Sequence, residues 1–391
     1  MTNEMPTAAR SGWDLQSHLL LGVSRTFALT IPQLPLPLER AVGNGYLLCR
    51  IADTIEDDPG LDLNEKLAYF EMFLEILNGK SNGKGNGKGS GNGHAEQFAA
   101  SLHNALSDRI SPAERELVKE TPDILRLTQT LTEPQRQALV RCVTIMSDGM
   151  YRFQSRKSLD GLCSVHEMSH YCYAVAGVVG EMLTDLFCDY SEAMNAHRDE
   201  MMPLAICFGQ GLQLTNILKD VWEDHRDGSC WLPRSAFGTD DQQLGTLIST
   251  EQSQQLTGGI NHIVGIAHQN LDSAIKYSRL IPKGEVGIRR FCLWAIGMAV
   301  ATLQKIHRNP GYFEGDQVKI SRRQVWTTVH AANAVLYSNR LVRGWFKMLS
   351  SGLPPCSYDD ACNPRELQQI VTSAGLGDIQ SGMFFKPIPI Q

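Results

Sequence analysis

Two short acidic patterns of identical spacing constrain this chain more than any other feature. Asp53-Thr54-Ile55-Glu56-Asp57 follows the apolar run Tyr46 to Ala52, and Asp220-Val221-Trp222-Glu223-Asp224 follows Gln213 to Lys219. In a helix, carboxylates at i, i+3 and i+4 share one face within about one turn. There they repel one another unless something positive fills the face. A hard divalent cation is the natural filler, because Mg²⁺ takes oxygens from one or two carboxylates and keeps its other positions for water and phosphate. A lone acidic triplet is more often a solvated helix face. Two of equal geometry can instead meet across a helical cavity, as carboxylates on facing helices do in metal-binding bundles. Each triplet has a base just before it, Arg50 and Lys219, suited to a diphosphate whose charge metal has partly covered.

The pattern between these motifs is helical almost throughout, with little period-two alternation, which predicts an all-α fold. Helices are expected over Trp13 to Val23, Leu38 to Asp57, Leu61 to Leu77, Ala95 to Leu106, Glu114 to Leu127, Glu133 to Phe153, Ser164 to Phe187, Met202 to Asp224, Gln252 to Leu280 and Glu285 to His307. Another should run on to Leu349. Ser24 reads as an N-cap, and with Arg25 it makes an anion site as plausible as structural capping alone. Asn78 to Gly93 is Gly, Asn, Lys and Ser with nothing to bury, so it reads as a disordered surface loop; it lacks the ending and the preceding strand of a phosphate loop. Residues 351–391 hold five prolines and read as a loosely ordered tail. The expected organisation is one helical domain over residues 11–350 around a central cavity.

Within Tyr171 to Gly180, Ala174, Ala176, Gly177 and Gly180 leave a helix face nearly bare, which permits close helix packing or room for a long apolar ligand. Tyr171 stands where that face begins. Beside a cavity it could accept or relay a proton; in a core it would satisfy one hydrogen bond. Lys319, Arg322 and Arg323 form a short basic cluster that is either a solvated face or a phosphate site for a nucleotide.

A net charge of −6 and the absence of a long basic block argue against nucleic-acid binding. The ten cysteines are scattered without paired metal-site spacing and read as reduced, mostly buried thiols of a cytoplasmic protein. The first ten residues lack a signal-peptide core, and no apolar run is expected to span a bilayer; Phe291 to Leu303 reads as a buried helix.

On these motifs the chain resembles the squalene and phytoene synthases, from about Ser24 to Arg323. The two acidic motifs, Tyr-Cys-x-x-Val-Ala-Gly-x-Val-Gly at Tyr171 to Gly180 and Ser-Arg-Thr-Phe-Ala at Ser24 match the family's patterns. Phe291-Cys292, Met298-Ala299, Ala301-Thr302-Leu303 and Phe313 to Ile320 favour its squalene branch. The resemblance implies an isoprenoid-synthase helical bundle that condenses two farnesyl diphosphates to presqualene diphosphate, then reduces that to squalene with NADPH. It implies Mg²⁺ on Asp53, Glu56, Asp57, Asp220, Glu223 and Asp224, and diphosphate on Ser24, Arg25, Arg50, Lys219 and Arg226. Tyr171 would handle the proton. Phe27, Tyr46, Val175, Val179, Leu183, Gln213 and Phe291 would meet the isoprenoid chains, and Asn216, Lys319, Arg322 and Arg323 the nucleotide.

Three positions depart from the family pattern. Lys219 stands where arginine is usual, Ser229 replaces a common arginine for which Arg226 is the nearest substitute, and Ala295 lies where proline is frequent. The anchor of the eukaryotic enzymes is missing, which implies a bacterial-type soluble or peripherally membrane-bound form. Readings left open are a synthase that stops at presqualene diphosphate, one that makes a phytoene- or dehydrosqualene-type product, and a non-catalytic isoprenoid-binding protein.

Overall fold

The structure, a computed structural model, describes residues 12–24, 26–79, 90–238, 254–357, 360 and 363–373, with no side-chain description at 90–92 and 370–373. Arg25, and residues 80–89 of the expected surface loop, lie outside the described residues, and residues 90–93, expected in that loop, instead form the first turn of a helix. The described chain is helical, with one isolated bridge between Leu162 and Pro233. The all-α expectation therefore holds. Two compact units form, Met1–Ser147 and Asp148–Gln391.

In the first unit, α1 (Gly12–Val23), α2 (Phe27–Thr30) and α3 (Leu36–Asp57) are followed by α4 (Leu63–Leu77), α5 (Ser90–Ala105), α6 (Pro112–Lys119), α7 (Thr121–Thr130) and α8 (Glu133–Gln154), whose residues from Asp148 on belong to the second unit. Starts follow capping chemistry: Asp62 and Ser111 each build a reciprocal box with the glutamate three residues on, satisfying N–H groups that a helix end leaves over. The helix expected over Glu114 to Leu127 divides where Pro122 removes a backbone donor. α3 buries Leu38, Val42, Leu47, Leu48, Ile51 and Ile55 and leaves Tyr46, Arg50 and Asp53 partly open. Buried Asp58 closes its end, accepting from the backbone N–H groups of Gly60 and Ser107, each at 2.8 Å.

The second unit holds α9 (Val165–Cys172), α10 (Val178–Tyr190), α11 (Glu192–Asn195), α12 (Arg198–Arg226), α13 (Gln254–Leu280), α14 (Val286–Arg308), α15 (Gly315–Val318), α16 (Arg322–Val335), α17 (Asn339–Leu349) and α18 (Pro364–Ser373). α12 is the axis, packed along α10, α13 and α14. Two glycines permit one of those approaches: a Cβ on Gly180 would lie 2.1 Å from Ala205 O, and one on Gly209 2.1 Å from Ala176 O. Of the two uses left open for the small-residue face, Gly180 serves close packing.

Three expectations need correction. The helix expected over Ser164 to Phe187 is interrupted by a π-helical turn at Tyr173–Gly177, a device frequent at functional sites. Of the residues expected to be loosely ordered, those described at 351–357, 360 and 363–369 are tied to the helices, whereas 374–391 lie outside the described residues. Gln304 Nε2 donates to Leu349 O and Ser351 O, His262 meets Asp360 at 2.8 Å, and Gln368 on α18 donates to buried Glu181. Lastly, Val165–Tyr190 and Val286–Arg308 are long and apolar enough to cross a membrane by length and composition. Their apolar windows are 67% and 72% buried inside the protein, which is the environment of core helices.

Candidate active site

The first acidic motif ends α3. Ser24 Oγ accepts from Phe27 N at 3.0 Å and so caps the short α2. Phe27 then lies with its ring 5.2 Å from that of Tyr46, whose hydroxyl donates to Val23 O. Tyr46, Arg50, Asp53 and Asp57 follow one another along a single helix face. Of the predicted residues in this unit, Ser24, Phe27, Tyr46, Arg50 and Asp53 are thus brought together.

The electrostatics of this face are those of a site short of positive charge. Burial pushes the Asp53 carboxyl up to about 7, against the pull of Arg50, and the charge of Asp57 adds to the rise. Arg50 cannot relieve it fully, because its guanidinium is divided. One arm reaches Asp53 at 3.5 Å and the other is ion-paired with Glu114. Burial opposes the charge on Arg50, but Asp53 and Glu114 outweigh it and hold the guanidinium above its ordinary value. Sequence reasoning missed Glu114. Its capping signature with Ser111 was readable, but its second task on Arg50 depends on packing between α3 and α6.

The second motif ends α12. Lys219 Nζ lies 2.9 Å from Asp220 Oδ2 and Arg226 Nη2 3.6 Å from Glu223 Oε1. Ser229, in place of the family's common arginine, is buried and donates to Asp224 O. Burial raises Asp220 from its ordinary value, Lys219 opposes the rise, Glu223 adds to it and Lys319 opposes it.

Lys319 is near because the segment from Tyr312 to Lys319 is fastened onto this helix. Trp222 Nε1 donates to Tyr312 O, the Tyr312 hydroxyl donates to Leu218 O, and Gly315 N donates to Glu223 Oε1 at 3.2 Å. A side chain at position 315 would collide with Lys219 O, 2.8 Å from a Cβ, so glycine is required for this approach. Tyr312 is the other site residue that sequence reasoning missed, and Gly315, read only as part of the Phe313 to Ile320 pattern, has a packing role that it did not disclose. Asn216 stands exposed one turn before the motif with Lys219 Nζ 3.5 Å away, and Arg322 and Arg323 stand exposed at the start of α16.

Tyr171 is buried between two aromatic rings, stacked on Trp231 at 4.3 Å and edge-on to Phe153 at 5.1 Å. Val175, Val179, Leu183 and Gln213 are half-buried, whereas Phe291 is core, packed edge-on against Phe187.

Among the described residues no three His, Cys, Asp or Glu side chains converge as a ready-made metal site. The carboxylates within each triplet are unequal. In the first motif Glu56 is only 6% exposed while Asp57 is exposed. In the second, Glu223 Oε1 is engaged by Gly315 and Arg226. The donor chemistry nevertheless fits a hard cation. Glu223 Oε2 is sealed from solvent with no hydrogen-bond partner, and Asp53 and Asp220 are both held above the usual carboxylate range. Mg²⁺ needs few protein oxygens when phosphate completes its shell. The exposed bases Lys319, Arg322 and Arg323 fit a nucleotide phosphate by charge.

A helical fold with paired acidic motifs defines a class, the helical bundles that build ligand and metal sites from carboxylates on their helices. Residues 20–324 match the family described as squalene/phytoene synthase, and the chain belongs to that family. It is 27% identical to a squalene synthase of Gibberella zeae over 76% of this chain and 59% of the relative. With a squalene synthase of Candida albicans it shares 30% over 76% of this chain and 62% of the relative. The chain thus spans about three fifths of the length of these curated relatives. A solved complex of TcSQS with the ligand BPH1237 superimposes with a TM-score of 0.68 at 21% identity, covering 95% of this chain and 99% of that one. At that identity the likeness concerns the fold.

Proposed function

We propose that the chain is a squalene synthase, joining two farnesyl diphosphates head to head through presqualene diphosphate. The observation that carries this reading is the match of residues 20–324, with both acidic motifs, to the squalene/phytoene synthase family, with squalene synthases among the relatives; the partnerless Glu223 Oε2 beside Asp220 is consistent with the cation that reaction needs. Such a helix end is stabilised by a cation that a diphosphate brings with it.

Asp53 and Asp57 in the first motif, backed by Glu56, and Asp220, Glu223 and Asp224 in the second would hold Mg²⁺. When bound, Mg²⁺ neutralises charge developing on the leaving diphosphate, and NADPH supplies the hydride of the second half-reaction. Arg50, braced by Glu114, keeps Asp53 in place; Lys219, Arg226 and Ser24 bind diphosphate oxygens, as does Arg25, and Asn216, Lys319, Arg322 and Arg323 bind the nucleotide. The first carbon–oxygen bond breaks as diphosphate leaves, and the double bond of the second substrate attacks the allylic cation. The adduct then loses a proton, which Tyr171 relays to the departed diphosphate. The Phe153, Tyr171 and Trp231 rings exclude water that would quench the cation, and their faces attract it. Phe27, Tyr46, Val175, Val179, Leu183 and Gln213 meet the isoprenoid chains.

The test is an incubation of the purified protein with farnesyl diphosphate and Mg²⁺, with and without NADPH, with products read by mass spectrometry. Squalene formed only with NADPH is the expected result. Presqualene diphosphate in both tubes would remove the reductive step, and a phytoene- or dehydrosqualene-type product would move the chain to another branch. No diphosphate release in either tube would contradict the enzymatic reading.

A further inference from the structure

The hairpin of α16 and α17 has a packed inner face and an unusual outer one. Inside, Thr328, Ala332, Val342, Trp345 and Phe346 are buried, and the hairpin seats so closely on α14 that a Cβ on Gly297 would lie 2.5 Å from Thr328 Cγ2. Outside, Trp326, Tyr337, Leu341 and Met348 are 60%, 58%, 56% and 71% exposed. These apolar tips are not spare core, because the inner face is already filled.

Charge along the hairpin itself is of one sign. Residues 317–358 contain no Asp or Glu and six Lys or Arg, in a chain whose net charge is −6. All six bases, Lys319, Arg322, Arg323, Arg340, Arg343 and Lys347, are exposed; Lys319 is paired with Asp316 at 3.0 Å, and Arg340, Arg343 and Lys347 on α17 lie apart from the bases assigned to the nucleotide. On α17 the bases interleave with apolar tips in the order Arg340, Leu341, Arg343, Lys347, Met348.

We propose that this outer face docks on an anionic lipid surface. Interleaved bases and apolar tips suit a headgroup layer, where lysine and arginine meet lipid phosphate while apolar side chains, with Trp326 and Tyr337 at the boundary, reach the acyl region. Aromatic, methionine and arginine side chains also serve protein interfaces; a run of six bases without an acid favours the lipid surface, whose charge is of one sign. The proposal goes beyond the catalytic reading and does not rest on it.

The test uses the full chain in flotation with vesicles of phosphatidylcholine alone and of phosphatidylcholine with a quarter phosphatidylglycerol. Wild type should float with the anionic vesicles only, and less at high salt. The combined variant Arg340→Glu, Arg343→Glu, Lys347→Glu should lose binding on the order of a hundredfold with its helical circular dichroism unchanged. Leu341→Ser with Met348→Ser should weaken binding several-fold at unchanged salt dependence. No flotation of wild type, equal flotation with neutral vesicles, or full binding by the charge-reversal variant would overturn the proposal. So would light scattering that shows a dimer abolished by the Leu341/Met348 variant without any vesicle binding, since a second copy would then be the occupant.

Discussion

The two acidic motifs share a spacing but are held by different means. Asp53 sits in a cluster built close to home, with Arg50 three residues before it and divided between Asp53 and Glu114. Asp220 and Glu223 are instead covered by a segment from far along the chain, where Tyr312, Gly315 and Lys319 come down on the end of α12. The first motif has a shared arginine fork. The second has two single-point bases, Lys219 and Arg226, and a backbone N–H. Equal sequence patterns therefore produce one site tuned by side chains, with Arg50 shared between Asp53 and a glutamate of α6, and one fastened by the backbone and side chains of a segment some ninety residues on.

The comparison breaks most severely if the motifs are not equally required. Asp53→Asn and Asp220→Asn should each lower Mg²⁺-dependent diphosphate release from farnesyl diphosphate at least about a hundredfold, with helical content retained. Near-normal turnover in one variant would assign the chemistry to the other motif alone. Next in size is Gly315→Ala, which drives a Cβ toward Lys219 O; it should cost roughly 1–3 kcal/mol in denaturant unfolding and weaken only the second motif. Glu114→Gln is its counterpart in the first motif. It releases one arm of Arg50, should cost about 1–2 kcal/mol, and should leave the second motif unchanged. The smallest effect is expected from Lys219→Arg, which replaces a partly exposed point charge with a fork and should change kcat/KM by no more than about threefold.

What the sequence made legible follows the same division. Helix periodicity disclosed the long described helices, because that signal is local; the capping boxes of Asp62 with Glu65 and Ser111 with Glu114, which fix where two of them start, were present in the sequence but not read from it. The acidic motifs and the cap at Ser24 were readable for the same reason. Tyr312 and Gly315 were not, since their role exists only when residues some ninety positions apart meet. The π turn at Tyr173–Gly177 was equally hidden, because a register change of one residue leaves the apolar pattern intact. The small-residue face illustrates an ambiguity that only packing resolves, with Gly180 placed by the carbonyl of Ala205.

The central claim is that both motifs bind divalent metal together with diphosphate. Its most direct test is Mn²⁺ binding followed by electron paramagnetic resonance, with an unreactive farnesyl thiodiphosphate present, in wild type, Asp53→Asn and Asp220→Asn. The account predicts ligand-dependent Mn²⁺ binding in wild type that falls in each variant. Mn²⁺ binding that is absent in wild type, or unchanged by both substitutions, would contradict it.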